Sequence, residues 1–202
     1  KKLFNENKNG ILRVSDEELT KAYDFCEDYK KFLDNAKTER EAVSEAIKIA
    51  EVYGFTPYEK GKMYLAGEKY YVNNRNKSVA FVVLGENDIS CGAKIGAAHI
   101  DSPRLDLKPN PLYEDIELAL LKTHYYGGIR KYQWATIPLA LHGVFVKKNG
   151  ETVTVKIGED ENDPVFCVND LLPHLAESQM KRPAKDIVYG EENESLDIGG
   201  NK

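Results

Sequence analysis

The sequence has few cysteines, and those it has are far apart. Only three of the 202 residues are cysteines, and they are spread over the whole chain at Cys26, Cys91 and Cys167. An odd and dispersed set matches neither a disulfide framework nor a cysteine-type zinc site. The shortage therefore argues against a disulfide-stapled secreted domain and favours a reducing, cytoplasmic location.

Basic charge and long apolar runs are also lacking. Acidic residues outnumber basic ones by 33 to 28, and no stripe of Lys and Arg offsets the formal net charge of −5. We therefore expect no nucleic-acid partner. No apolar run approaches the length of a membrane span, so no membrane partner is expected either. The chain begins without Met and ends in the glycine-rich SLDIGGNK, and we expect it to be part of a longer protein.

Two amphipathic helices are predicted near the start of the chain. Each would begin at a capping box, in which Ser or Thr precedes Glu by three residues. Apolar residues follow both boxes at helical spacing, and Gly54 suits the end of the second helix. The two boxes are Ser15 with Glu18 and Thr38 with Glu41.

The period then changes to that of β-structure. GEKYYVNN and SVAFVVLG are β-rich runs joined by a polar turn, so they predict a hairpin. AKIGAAHI, residues 93–100, is almost continuously apolar and predicts a strand covered on both faces in a mixed sheet. The first half of the chain is therefore predicted to be α/β.

The second half is predicted to be mostly β-structure. KPNPLYED, residues 108–115, carries two prolines and is interpreted as a crossover, with a domain boundary near Pro109–Pro111. KKNGET predicts a hairpin turn, because Asn-Gly can supply positive φ. A helix is expected to start near Asn169 or Asp170, with Pro173 in its first turn. The tail after Lys181, which includes the acidic GEENES, is interpreted as a loop.

His99 and Asp101 are the strongest candidates for a chemical site. Residues i and i+2 of a strand point the same way, so both side chains would project from one face near the strand end. A carboxylate that accepts one N–H of an imidazole fixes the tautomer in which the other nitrogen binds a metal. From spacing alone, a hydrogen-bonded structural histidine remains the alternative.

The other histidines favour structural roles. His174 would lie one helical turn after Asp170, and the pair could bind a ligand at i, i+4 spacing, although a solvated helix face is the more common case. His124 lies among aromatic residues and is interpreted as packing or turn polarity. His142 is interpreted as a strand-end histidine with a backbone partner.

Three stretches of the sequence together resemble a known family. GAAHIDSPRLDLKP, followed by THYYGGIRKYQW and LALHGVFV, is similar to the aspartyl aminopeptidase-like family of di-zinc metalloaminopeptidases, in particular to its bacterial aminopeptidase 1 branch. The resemblance implies an α/β fold in two parts. Residues 1–108 would form the N-terminal part of a mixed-sheet zinc-peptidase domain, and residues 109–202 an inserted, incomplete β-rich dimerisation domain.

The resemblance also implies roles for individual residues. His99 matches a zinc ligand, and Asp101 matches the catalytic carboxylate that orients it. The implied cofactor is zinc, with two divalent metal ions per complete site. The implied partners are peptide substrates and further copies of the same chain, in dimers that assemble into a larger particle.

The match to the family is incomplete. The bridging Asp, the Glu-Glu pair, a further Asp and a late His of the family site have no counterpart here. In members that act on acidic substrates, the inserted domain lends a His to a neighbouring active site. At that place this chain has Asp170, with His174 four residues later. Both are candidate substrate-binding residues, and a neutral or broader substrate preference is at least as well supported.

Two functions are therefore weighed. The first is a zinc-dependent aminopeptidase that hydrolyses N-terminal residues from peptides through a di-metal-activated water. In that case this chain would carry only part of the site, and we expect it to be inactive alone. The alternative is a catalytically inactive assembly or interaction fragment.

Overall fold

The computed structural model describes residues 9–115, 117–188 and 195–198. Its contacts divide the chain into two units, of which the first ends at Ile100 and the second begins at Asp101. Helices and a small sheet build the first unit, and the second is mostly β-structure. The predicted combination of α and β elements is confirmed. Within the described ranges, no helix has the length and apolar composition needed to cross a membrane.

Two helices open the first unit, as predicted. Helix α1 spans Asp16–Asn35 and helix α2 spans Glu39–Val52. Gly54 follows the end of α2 with a φ of 82°, the left-handed conformation in which glycine closes helices. Both capping boxes form with their reciprocal hydrogen bonds, at Ser15 with Glu18 and at Thr38 with Glu41.

A small mixed sheet completes the first unit. Strands β1 (Thr56–Pro57) and β2 (Lys69–Asn74) pair in parallel, and β2 pairs antiparallel with β3 (Ser78–Val83). The predicted hairpin between β2 and β3 is confirmed. Its turn holds Arg75 and Asn76 at positive φ, the conformation that a tight turn between twisted strands requires.

Helix α2 packs on this sheet and forms the core of the unit. Ala42, Val43 and Ala50 are buried on one side of the helix. The Tyr71 hydroxyl on β2 donates a 2.9 Å hydrogen bond to Glu51 Oε1 on α2. That hydrogen bond, followed by burial, raises the pKa of Tyr71.

The strand predicted at residues 93–100 does not form, and this prediction is wrong. The chain makes a short 3-10 turn at Ile89–Cys91, and residues 92–103 are neither helix nor strand. Residues 92–100 are exposed, with Ile95 at 88%. A strand requires partners for its N–H and C=O groups. Apolar composition does not supply them, and no described strand pairs with this segment.

The described residues of the second unit contain six strands in two sheets. The strands are β4 (Arg104–Asp115), β5 (Leu118–Tyr126), β6 (Leu141–Val146), β7 (Thr152–Ile157), β8 (Phe166–Cys167) and β9 (Ser195–Ile198). The larger sheet has the order β4-β5-β9-β8, and β6 and β7 form a two-stranded sheet. The predicted hairpin at KKNGET is confirmed as the β6–β7 connection, where Gly150 has a φ of 85°.

The segment interpreted as a crossover, residues 108–115, instead belongs to β4, so that interpretation is wrong. The register between β4 and β5 shifts between Leu107 and Leu112. Pro109 and Pro111 fall within this irregularity. Proline has no N–H to donate to a ladder, and it is tolerated in sheets at such bulges. Two prolines therefore interrupt the pairing without ending the strand.

Two predictions near the end of the chain are also wrong. The helix expected from Asn169 or Asp170 is absent at that position, and the short helix α3 spans Glu177–Met180. Residues 172–175 form a turn instead, closed by the Leu175 N–H and the Leu172 carbonyl at 2.8 Å. Because Pro173 disfavours the α conformation in the residue before it, a helix is opposed there. The tail interpreted as a loop contains β9, and residues 190–194 of its acidic GEENES segment lie outside the described residues.

The core of the second unit lies on one face of the larger sheet. Leu121, Phe166 and Val168 are buried together. Phe166 is also tied to Leu139 by two backbone hydrogen bonds, of 2.7 and 3.0 Å. Leu105 and Leu107 of β4 pack against the same cluster, so alternate residues of β4 face the core. Arg104 and Asp106 consequently point to the opposite face.

Candidate functional site

His99 lies in the exposed segment before the unit boundary. It was predicted at the end of a buried strand, but it has no strand around it and is exposed. Asp101 is half-buried and lies three residues before β4. The boundary between the two units falls between these two residues.

Asp101 is held by a tyrosine from the neighbouring strand. The Tyr126 hydroxyl donates a hydrogen bond of 2.7 Å to Asp101 Oδ2. Tyr126 is the last residue of β5, and it pairs directly with Arg104, the first residue of β4. The β4–β5 register therefore brings a phenol to a carboxylate 25 residues away in sequence.

Arg104 connects this pair to a second carboxylate. Its guanidinium carbon lies 4.2 Å from the centroid of the Tyr126 ring, within the range of a cation–π interaction. Its Nε donates a 2.7 Å hydrogen bond to Asp106 Oδ1, and its Nη1 donates to the Ser102 carbonyl at 3.3 Å. Asp101, Tyr126, Arg104 and Asp106 thus form one continuous network, which we call the Asp101 network.

The turn after Tyr126 depends on a glycine. Gly127 has a φ of 72°, which residues with a side chain rarely adopt. A Cβ built on Gly127 would lie 3.4 Å from atoms of Pro103. The YYGG segment and the residues that follow Asp101 are therefore neighbours, as one would expect if the two stretches serve one site.

Asp170 and His174 do not share a helix face. Asp170 Oδ1 accepts hydrogen bonds from the Leu171 N–H at 2.8 Å and from Gln179 Nε2 at 2.9 Å. His174 is exposed in the turn over residues 172–175. The i, i+4 arrangement predicted for these two residues is consequently wrong, since no helix aligns them.

The two remaining histidines have different partners. His124 Nδ1 lies 3.2 Å from the carbonyl oxygen of Tyr125. The His142 side chain is only 8% exposed, and Glu159 Oε1 accepts a 2.8 Å hydrogen bond from its Nε2. A backbone partner was expected for His142, and the structure gives it a carboxylate partner that lies 17 residues further along the chain.

Sequence reasoning missed three members of the Asp101 network, namely Tyr126, Arg104 and Asp106. Arg104 and Asp106 were detectable, because opposite charges at i and i+2 of a strand share one face. Tyr126 was not, because its partner depends on the register of two strands. The YYGG segment contributes to the family resemblance, but the resemblance assigns no partner to its tyrosines.

His99 and Asp101 carry donor types that occur in zinc sites. Imidazole nitrogen and carboxylate oxygen are both ligand types that zinc takes. Asp101 is already fixed by a hydrogen bond, as carboxylates near metal sites usually are. Over the described ranges no group of three or more His, Cys, Asp or Glu side chains could hold a metal. Each of the two residues is thus chemically suited to a zinc site, which would require further ligands.

Comparison with known families gives a match to most of the chain. A family model described as aminopeptidase I zinc metalloprotease (M18) matches residues 32–194. The probable M18 family aminopeptidase 1 of Clostridium acetobutylicum is 50% identical over 194 residues, which cover 94% of this chain and 42% of that protein. The chain thus spans less than half the length of this curated relative.

Solved structures give the same match. The crystal structure of an M18 family aminopeptidase from Thermotoga maritima has a TM-score of 0.86 at 41% identity, covering 97% of this chain and 42% of that one. The crystal structure of aminopeptidase I from Clostridium acetobutylicum has a TM-score of 0.82 at 49% identity, covering 98% and 44%. The fold described above is therefore similar to part of each of these structures.

Proposed function

The chain belongs to the aminopeptidase I zinc metalloprotease family (M18), and from that premise we propose that the complete protein is a zinc-dependent aminopeptidase. It would hydrolyse N-terminal residues from peptides. The activity is proposed for the complete protein because the chain spans about 42% of its curated relative. The observation that carries the proposal is the His-x-Asp-Ser-Pro motif, which lies inside the matched region and has its carboxylate held by Tyr126.

His99 and Asp101 are the proposed site residues. His99 would be a zinc ligand, and Asp101 would orient it and be counted with the catalytic residues. When bound, a pair of zinc ions polarises a carbonyl group and makes water nucleophilic near neutral pH. Within this chain, the imidazole provides the metal donor and the Asp101 carboxylate fixes its tautomer. Ligands outside this sequence would complete the site for two ions.

Substrate binding is proposed for Asp170 and His174. Both lie in the segment 169–176, where Leu171, Leu172 and Leu175 are also exposed. An exposed histidine among apolar side chains suits contact with a neutral peptide end as well as with an acidic one. We therefore favour a neutral or broad preference for the N-terminal residue.

Assembly and location are the remaining parts of the proposal. Residues 109–202 would be an inserted dimerisation domain, through which copies of the chain form a homo-oligomer in the cytoplasm. Phe145 and Val146 are exposed on β6, which forms a two-stranded sheet with β7, and this exposure supports a role of the region in contacts between copies.

An inactive assembly or interaction fragment is the second candidate. The lack of a three-residue metal group among the described residues favours it for this chain taken alone. Under this alternative, the second unit would associate with a partner and no peptide would be cleaved.

One experiment separates the two functions. The complete gene product that contains these residues is reconstituted with zinc and assayed against a panel of aminoacyl reporters, beside the 202-residue chain alone. The proposal expects cleavage by the complete protein, loss after chelation, recovery with zinc, and no turnover by the chain alone. A complete protein that binds no zinc and cleaves no reporter would overturn the aminopeptidase proposal.

A further inference from the structure

The hydrogen bond between Tyr126 and Asp101 is built from two strands. The paired ends of β4 and β5 fix the backbone of Tyr126 opposite Arg104. The Tyr126 hydroxyl then reaches Asp101 Oδ2 at 2.7 Å, a normal length for an O–H donor to a carboxylate oxygen. The carboxylate is thereby tied to a strand that it does not belong to.

The ring of Tyr126 is itself held in place. Arg104 lies across its face at 4.2 Å, and Asp106 Oδ1 accepts a 2.7 Å hydrogen bond from the Arg104 Nε. A guanidinium that is fixed by a carboxylate restricts the rotation of the ring beneath it. The direction in which the Tyr126 hydroxyl points is therefore set by two side chains, Arg104 and Asp106, on the same face of the sheet.

We propose that Tyr126 is a positioning residue for Asp101, and that it increases zinc affinity by fixing the carboxylate that orients His99. This inference rests on the proposed function, since it assigns Tyr126 a role only through Asp101 and the metal. Tyr126 touches neither the metal nor the substrate in this scheme. Its contribution is to restrict the Asp101 carboxylate to one rotamer and to occupy Oδ2.

A purely structural role explains the arrangement less well. Tyr126 is 40% exposed, and so is the adjacent Tyr125. Tyr125 lies on the opposite face of β5, where Lys131 Nζ is 4.7 Å from its ring centroid. The two tyrosines are equally exposed, and each has a basic side chain over its ring, Arg104 for Tyr126 and Lys131 for Tyr125. The Tyr126 hydroxyl in addition donates a hydrogen bond to the Asp101 carboxylate. Tyr125 is therefore the matched control.

The test measures zinc affinity in the complete gene product. Tyr126→Phe, Tyr125→Phe, Asp101→Asn and the double variant Tyr126→Phe/Asp101→Asn are compared by competition with a chelator. Asp101→Asn is expected to weaken zinc binding about 10- to 100-fold, as changes beside metal ligands usually do. Tyr126→Phe is expected to weaken it about tenfold, at the lower end of that range. Tyr125→Phe should match the wild type.

The double variant decides how Tyr126 acts. If it acts through Asp101, the double variant should bind zinc no more weakly than Asp101→Asn alone. The peptidase activity lost by Tyr126→Phe at limiting zinc should also return at saturating zinc, which a folding defect would not allow. Full additivity of the two changes, or wild-type affinity in Tyr126→Phe, would overturn the inference while leaving the proposed function intact. A wild-type protein without zinc binding would instead overturn the proposed function, and the inference with it.

Discussion

Arg104 lies across the ring of Tyr126, with its guanidinium carbon 4.2 Å from the ring centroid. Replacing Arg104 by Met keeps an aliphatic contact with the ring and removes the charge. A cation–π interaction at an exposed site contributes about 0.5–1 kcal/mol. If all of it were transmitted to Asp101, Arg104→Met would weaken zinc binding about two- to fivefold.

The chelator competition assay measures this effect too. Arg130→Met is the matched control, because Arg130 is an exposed arginine whose Nη1 donates to the Tyr132 hydroxyl at 3.3 Å, in the same unit. It should leave zinc affinity unchanged. In a Tyr126→Phe background, Arg104→Met should add no further loss, since the hydroxyl that it positions is missing. An equal loss in both backgrounds would mean that Arg104 acts by another route.

His99→Ala should remove a metal donor outright. We expect the zinc content of the purified complete protein to fall strongly and peptidase activity to be lost, measured by metal analysis and a reporter assay. His124→Ala is the control, since His124 is also exposed and makes a 3.2 Å contact with the Tyr125 carbonyl. Normal zinc content and turnover in His99→Ala would show that His99 is not a ligand.

Local signals were enough to predict several elements of the fold. The capping boxes at Ser15 and Thr38 and the turn glycine at position 150 act within a few residues, so the sequence contains the whole interaction. The family membership was also predicted, because the motif that contains His99 and Asp101 is followed by the YYGG segment, and the two together are more specific than either alone. These predictions are confirmed, whereas the metal roles of the two residues stay predictions.

The wrong predictions concern pairing and long-range contacts. Residues 93–100 have the apolar composition of a buried strand. Composition does not identify a neighbouring strand whose N–H and C=O groups would pair with theirs. Pro109 and Pro111 led to the prediction of a crossover, because the bulge that accommodates them in β4 depends on the pairing with β5. Tyr126 was missed as the partner of Asp101 for the same reason, since the register of β4 on β5 decides which side chains meet.

The start of helix α1 should weaken in acid. The Ser15 backbone N–H donates a 2.8 Å hydrogen bond to Glu18 Oε2, and this bond, followed by that of the Ser15 hydroxyl, lowers the pKa of Glu18 below its ordinary value of 4.5. A carboxylate with a lowered pKa in the folded state contributes stability above its unfolded pKa. That contribution is lost as the pH falls through the lower, folded-state value.

Hydrogen exchange checks this dependence on pH. Protection of the first-turn amides of α1, such as that of Leu19, which donates to the Ser15 carbonyl at 2.9 Å, should fall below about pH 4.5 after correction for intrinsic exchange. Glu18→Gln is the control, because a glutamine can occupy the same place in a capping box but does not titrate. Its protection should not show the acid step. The same step in both proteins would exclude Glu18 as its source.

Phe166→Ala should destabilise the second unit much more than Phe145→Ala. Phe166 is 6% exposed and packs with Leu121 and Val168, whereas Phe145 on β6 is 58% exposed. Removing a buried phenylalanine typically lowers the free energy of unfolding by about 3–5 kcal/mol. The exposed one should change it by about 0.5 kcal/mol or less. Urea unfolding of the two variants and the wild type measures the difference in the free energy of unfolding. Equal destabilisation by both changes would show that the buried Phe166 contributes no more to stability than the exposed Phe145.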